Sequence, residues 1–191
     1  MCIRDRIYDE HVYLFSSASI SKLAEQFNLK LFDAVAQNTH GGSMRYFLCK
    51  DNTYSETKRL KKLILKEKKL QLDKLSTYKK FAERVYNSKK NLLKLLKKIR
   101  DNHKTICAYG ATSKSTTIFN FCKISTNLIQ NYYDNTKIKQ NKISPGMHIP
   151  VKSFSKMKKY PDYFFLSAWN HKKEILAKEK KFNKEGGKWI T

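Results

Sequence analysis

From residue 104 onward the chain alternates short runs of strand formers with helix-length amphipathic stretches, and few folds accommodate that rhythm. Residues 105–109 read as a buried strand that Gly110 ends, and residues 111–121 as the helix that follows. A second strand is expected over 127–133, closing in Asp134, and a third short one over 149–151 after the turn at Pro145-Gly146. A fourth spans 162–168, a helix covers 173–182, and a fifth strand begins in the stretch 186–190. The pattern predicts an α/β fold with a Rossmann-like, mostly parallel sheet.

The front of the chain follows a different rhythm. Serines at the start of residues 16–28 can cap a short helix that places Ile20, Leu23, Ala24 and Phe27 on one face. Two runs of strand formers, 29–35 and 44–49, flank a His-Gly-Gly-Ser segment, as in a hairpin or sheet edge. Gly41 and Gly42 permit backbone conformations closed to other residues, so His40, Ser43 and Arg45 beside them are candidate substrate contacts. Thr53-Tyr54-Ser55-Glu56 fits a capping box that opens a Lys-rich helical region reaching Arg100. In that region Leu75, Tyr78, Phe81, Val85, Leu92, Leu96 and Ile99 form one apolar stripe. Three segments are therefore expected: residues 1–52, a helical connector over 53–101, and the Rossmann-like domain over 102–191.

At 191 residues, with 40% hydrophobic and 13% aromatic side chains, the chain can bury a proper core. It holds no run of about 18 apolar residues, which argues against a membrane span. A formal charge of +24 usually suggests a nucleic-acid partner. Here nearly all of it is lysine spread along the whole chain, with arginine only at positions 4, 6, 45, 59, 84 and 100, so solvated surface is the better reading and no nucleic acid is expected. Cys2, Cys49, Cys107 and Cys122 have no paired spacing and read as free thiols of a cytoplasmic protein, with Cys107 and Cys122 as small core residues. No metal-ligand spacing occurs, so none is expected in this chain. The first six residues lack any pattern and resemble no leader peptide, while chemistry starts abruptly at Tyr8, as expected of the back part of a longer protein with six foreign residues in front.

Two places carry chemistry. In Tyr8-Asp9-Glu10-His11 a phenol, carboxylates and an imidazole stand together, and histidine accepts a proton near neutrality. Further on, strand, then Gly110, then Ala111-Thr112-Ser113-Lys114 at a helix start is a plausible site for a nucleotide diphosphate, with backbone N–H groups, hydroxyls and one ammonium as donors. It is neither a Walker A loop nor a full dinucleotide fingerprint. Asp134 ends the next strand, where it can meet a ribose hydroxyl or simply cap a turn. Trp169 and Asn170 follow the fourth strand, and Trp169 can stack on a base or sugar or fill the rim of the core.

Taken in order, YDEHVYLFS, THGGSMRYF, AYGATSKSTT, DNTKIKQNKISPGMHIPV, PDYFFLSAWNH and GGKWI resemble the C-terminal part of the S-adenosylmethionine-dependent sugar C-methyltransferases. The resemblance covers residues 7–190. It implies that residues 1–52 are the tail of a methyltransferase domain and that residues 102–191 bind a nucleotide-linked 4-keto-6-deoxysugar. It implies His11 as the base that removes the C3 proton, supported by Tyr8 and Glu10, before the enolate takes the methyl group. Tyr109, Gly110, Thr112, Ser113, Lys114, Asp134, Trp169 and Asn170 become substrate-binding candidates. The family's S-adenosylmethionine loop and cysteine-bound zinc belong to a part not seen in this sequence, so the chain resembles a fragment, inactive alone. The chain departs from the family's usual glycines at Ser115 and Asn141, and from its Asn-Pro pair at Thr136-Lys137. Two other readings stand beside this one: a nucleotide-sugar-binding module without turnover, and a polyanion-binding protein acting through its lysines.

Overall fold

The computed structural model describes residues 13–38, 42–50 and 53–191. The chain divides into two compact units, Met1–Tyr86 and Asn87–Thr191.

In the first unit Ser16 caps helix α1 (Ser17–Glu25) through a reciprocal capping box with Ser19. Strands β1 (Leu29–Gln37) and β2 (Ser43–Lys50) pair antiparallel, with a register shift between Leu31 and Asp33. Leu31, Ala34 and Leu60 form the small core, to which Ile20, Met44 and Tyr46 add. The helix is shorter than its sequence pattern suggests: it stops at Glu25, and Asn28 turns the chain at φ 54°. Phe27 is therefore 67% exposed and Leu23 is exposed as well, while Ala24 is the residue of that face that is buried.

The Lys-rich region forms two helices, α2 (Lys58–Lys69) and α3 (Leu75–Asp101), separated by a turn with Gln71 at φ 51°. The expected capping box at Thr53–Glu56 is not the helix start. Thr57 is the N-cap, and its hydroxyl also donates to Asp33. Asp33 is buried on β1, where Arg59 and Thr57 bond its carboxylate and hold it below the usual carboxylate range. That cluster moves the cap one residue beyond the predicted box. The apolar stripe of α3 also divides: Leu96 and Ile99 are buried in the second unit, whereas Leu75 and Tyr78 are exposed.

The second unit carries the parallel sheet. Its strands are β3 (Ile106–Tyr109), β4 (Tyr132–Tyr133), β5 (Val151–Lys152), β6 (Tyr163–Leu166) and β7 (Lys188–Ile190), in the order β5-β4-β3-β6-β7. All neighbours run parallel. From the central β3 the chain builds outward to β5, then returns to place β6 and β7 on the other side. The crevice between the carboxyl ends of β3 and β6 is thus the topological switch point, where open α/β sheets collect ligands.

Alternation along the strands feeds two cores. Ile106, Ala108, Tyr132 and Phe165 face α4 (Ser113–Cys122) and the end of α3, meeting Phe119, Cys122, Leu96 and Ile99. Cys107, Tyr109, Tyr133, Phe164 and Leu166 face α5 (Lys172–Lys178) and α6 (Lys180–Lys184), meeting Ile175 and Phe182. A sheet buried on both faces explains why these strands read as near-continuous apolar runs.

Three boundaries differ from the sequence expectation. The second strand is two residues long, because Leu128 and Ile129 bond back to the carbonyl of Ser125 in a turn. The third shifts to Val151–Lys152. The helix expected over 173–182 breaks at Glu179, whose carboxylate accepts a 2.7 Å hydrogen bond from the Tyr109 hydroxyl.

Candidate functional site

Gly110 ends β3 at φ 85°, a left-handed conformation that a side chain resists. Space does not demand glycine there, since an added Cβ would lie 3.5 Å from Ala168, an ordinary contact. The conformation does. It turns the chain into α4, whose N-cap Thr112 accepts from the Ser115 N–H while Ser115 accepts from the Thr112 N–H, both at 3.2 Å. The Thr112 hydroxyl also donates to the Ser167 carbonyl at 3.4 Å, joining this turn to the end of β6. The first turn of α4 contains no acidic residue, and the carboxylate that meets this end of the helix, Asp134 on the Ala111 N–H, is itself paired with Lys139, so the turn presents backbone N–H groups at the carboxyl edge.

Lys114 and Trp169 meet beside that helix start, with the ammonium 4.4 Å from the ring centroid. Asn170 is exposed in the same 3-10 turn, Trp169–His171. Between these elements Ser167 is 2% exposed, and its Oγ has no hydrogen-bond partner among the described residues. A buried hydroxyl without a partner is costly, and one at a switch point is a donor waiting for an acceptor. The β3–β6 crevice therefore combines a helix N-terminus, an ammonium and an indole, with the buried Ser167 beside them at the end of β6, an arrangement suited to an anion linked to a planar or cyclic group.

Comparisons with known proteins identify the family. Residues 38–191 match the C-methyltransferase C-terminal domain family. The chain belongs to the C-methyltransferase family. It is similar to C-methyltransferase NovU of Streptomyces niveus, 31% identical over 189 residues, which cover 98% of this chain and 45% of that protein. The chain thus spans less than half the length of that relative.

Within this C-methyltransferase domain the candidate residues separate into three groups. Gly110, Thr112, Ser113, Lys114, Trp169 and Asn170 come together around the crevice. Tyr109 does not, which corrects the expectation: its side chain leaves the opposite face of the sheet, packs on Phe154, Phe164 and Trp189, and is buried. Burial, with Glu179 as its hydrogen-bond acceptor, pushes its phenol pKa far above the ordinary value.

Asp134 occupies the end of β4 as expected, but its carboxylate is engaged internally. One oxygen accepts from the Thr136 N–H and the other from the Ala111 N–H, each at 2.7 Å, and Lys139 lies 3.6 Å away. The first contact is an Asx turn. Burial works to raise its pKa, but these hydrogen bonds and the Lys139 charge outweigh it and hold the group below the usual carboxylate range. Of the two readings left open by the sequence, the geometry is that of the turn cap, and it ties the β4 loop to the β3–α4 turn. Lys139 strengthens the tie by donating to the Ala111 carbonyl at 2.8 Å. Neither Lys139 nor Ser167 stood out in the sequence, one lost among many lysines and the other lost in an apolar run.

In the first unit, Ser43 and Arg45 lie at the start of β2, Ser43 half-buried and Arg45 exposed. A cleft of about 640 Å³ there is lined by Tyr13, Phe15, Asn38, Ser43, Tyr46 and Glu67. Glu67 accepts from the backbone N–H and hydroxyl of the buried Ser17, fixing the start of α1. Burial, with the Glu67 charge, raises the Tyr46 phenol pKa. Tyr8, Glu10, His11 and His40 lie outside the described residues.

Cys107 and Cys122 are buried in the two cores, as read from the sequence, and Cys49 is buried as well. Among the described residues no three His, Cys, Asp or Glu side chains group as metal ligands, and no helix is long and apolar enough to cross a membrane.

Proposed function

We propose that this chain is the C-terminal part of an S-adenosylmethionine-dependent C-methyltransferase acting on a nucleotide-linked 4-keto-6-deoxysugar. Residues 102–191 bind the nucleotide diphosphate, and residues before 53 supply the tail of a methyltransferase domain. The carrying observation is the crevice between β3 and β6, where the N-terminus of α4, Lys114 and Trp169 come together. A cation–π contact at a partly exposed site is worth about 0.5–1 kcal/mol. A hydrogen bond to a charged partner is worth about 1.5–3 kcal/mol. Lys114 therefore leaves the Trp169 face for a phosphate oxygen when one is present, freeing the indole to stack on the ligand.

S-adenosylmethionine does not fit this crevice. Its sulfonium is a cation, whereas the groups here are an ammonium and a helix N-terminus, and the Asp134 carboxylate beside them is already held by the Ala111 and Thr136 N–H groups and Lys139. The cofactor, like the family's zinc, is assigned to a part of the enzyme beyond this sequence, and the isolated chain carries out no transfer. What the chain contributes to the chemistry is a base. The keto group acidifies the adjacent proton, His11 accepts it, and Glu10 and Tyr8 support that histidine.

Calorimetry on the 191-residue chain tests the reading. A nucleoside diphosphate should bind, weakly, and S-adenosylmethionine should give no measurable heat; tight S-adenosylmethionine binding would contradict it. In the complete enzyme His11→Ala should lower methyl transfer by about 100-fold to 10,000-fold, the range for losing a positioned general base. Wild-type exchange of the sugar's C3 proton with deuterated water in that variant would move the role to another residue, Tyr8 first.

A further inference from the structure

The sheet of the second unit has a second concave edge that the proposed function leaves unused. At the amino ends of the strands, on the face covered by α6, a cleft of about 760 Å³ opens above Cys107, Asn131 and Tyr133. It is comparable in size to small-molecule sites. Most of its walls precede β3, β4, β6 and β7, with Cys107, Tyr133 and Lys152 contributed from within β3, β4 and β5, and it shares no lining residue with the crevice around Gly110, Lys114 and Trp169.

The charges around it are unbalanced in one direction. Lys104, Lys152 and Lys159 reach it from three separate segments, and His103 stands on its rim. Its two carboxylates are already engaged. Asp162 accepts from the N–H and the hydroxyl of Thr105, each at 2.8 Å, and lies 3.3 Å from the Lys104 ammonium; Glu185 pairs with Lys181 at 3.8 Å. Lys152 and Lys159 have no carboxylate partner among the described residues. The floor adds no negative charge. Burial pushes the Cys107 thiol up to about 11, so it stays protonated, and Asn131 is a neutral amide 3.8 Å from its sulfur. Gly186 and Gly187 form part of the wall without side chains, and an added Cβ at Gly187 would strike the Phe182 ring at 2.1 Å.

We infer that this amino-edge cleft is a second anion site, built for a small phosphate-bearing ligand held by Lys152 and Lys159 and distinct from the nucleotide crevice at the opposite edge. A singly charged carboxylate would satisfy one ammonium, whereas a diphosphate carries several oxygens that two cations from different segments grip together. Phosphate chemistry also suits a polar, open cleft better than an apolar ligand would.

The test is a titration of the 191-residue chain with inorganic pyrophosphate, followed by amide chemical shifts and calorimetry. The amides of Thr105, Asn131, Gly186 and Gly187 should move together. The double variant Lys152→Gln/Lys159→Gln should weaken that response by about tenfold or more, the scale of one lost charge-assisted hydrogen bond. Both side chains are exposed and make no hydrogen bond among the described residues, so this variant folds. Lys114→Ala should leave these shifts unchanged, which separates the cleft from the nucleotide crevice. A control pair on α3, Lys97→Gln/Lys98→Gln, removes the same charge elsewhere and should have no effect. Amides at the cleft that stay still, or an equal loss with the control pair, would overturn the inference in favour of diffuse attraction to a basic protein.

Discussion

The two units of this chain handle their apolar side chains differently. In the second, a five-stranded parallel sheet is covered on both faces, and Phe119, Tyr132, Phe164 and Phe182 are fully buried. Each such side chain contributes about 1.5–3 kcal/mol relative to staying in water. In the first, the sheet is a two-stranded hairpin, and Tyr13, Phe15, Phe27, Leu65 and Leu75 remain exposed. The second unit exposes far fewer large apolar residues, Leu95, Ile138 and Ile143 among those described. A parallel sheet between helices closes its own core, whereas a hairpin on two helices buries little beyond Leu31, Ala34 and Leu60.

This contrast predicts how each unit responds to truncation. The largest effect is expected for Phe164→Ala, which removes a ring packed on Tyr109, Phe182 and Trp189 and should cost about 3–5 kcal/mol. Both tryptophans lie in the second unit, so the shift appears directly in urea unfolding followed by their fluorescence. A cost under about 1 kcal/mol would mean a loosely packed sheet. In the first unit Leu60→Ala should cost about 2–5 kcal/mol, read as lost hydrogen-exchange protection in β1 and β2. Unchanged protection would deny that Leu60 anchors the hairpin.

A smaller effect belongs to acid. The Thr105 N–H bonded to Asp162, with the Thr105 hydroxyl and Lys104, lowers that carboxyl to about 2 against a burial contribution that raises it. A depressed folded-state pKa gives stability that is complete above the unfolded value near 4 and is lost as pH falls toward 2. Asp162→Asn should therefore flatten the stability profile of the second unit between pH 4 and 2, and an unchanged slope would assign the acid sensitivity elsewhere. The smallest effect is expected for Phe27→Ala. At 67% exposure it should change stability by no more than about 0.5 kcal/mol in the same unfolding assay, and a larger loss would show that the first unit packs more of its surface than the structure shows.

The same contrast explains what could be read in the sequence. The alternation after residue 104 was legible because strands buried on both faces must be apolar along their length, and the ordered motifs carried the family. Boundaries were harder where side-chain bonding overrides propensity, as at Thr57, which Asp33 draws into the cap, and at Glu179, which Tyr109 holds at a helix break. Tyr109 illustrates the limit for sites. It adjoins Gly110 in sequence, but a strand sends neighbours to opposite faces, so adjacency to the turn placed it in the wrong group. Asn141 is the reverse case. It stands where the resemblance leads one to expect glycine, and its φ of 61° is the left-handed conformation that asparagine tolerates best after glycine. Ser167 was invisible because nothing in a sequence reveals that a hydroxyl is buried and unpaired.

The central claim is that the carboxyl-edge crevice of the second unit receives the diphosphate of a nucleotide sugar. Its most direct test is a nucleoside diphosphate titration of the isotope-labelled chain, followed by amide and indole resonances. Shifts should concentrate at Gly110, Lys114, Ser167 and the Trp169 indole, and Lys114→Ala should weaken them. Resonances at the crevice that do not move at saturating ligand, or movement confined to the amino edge, would contradict it.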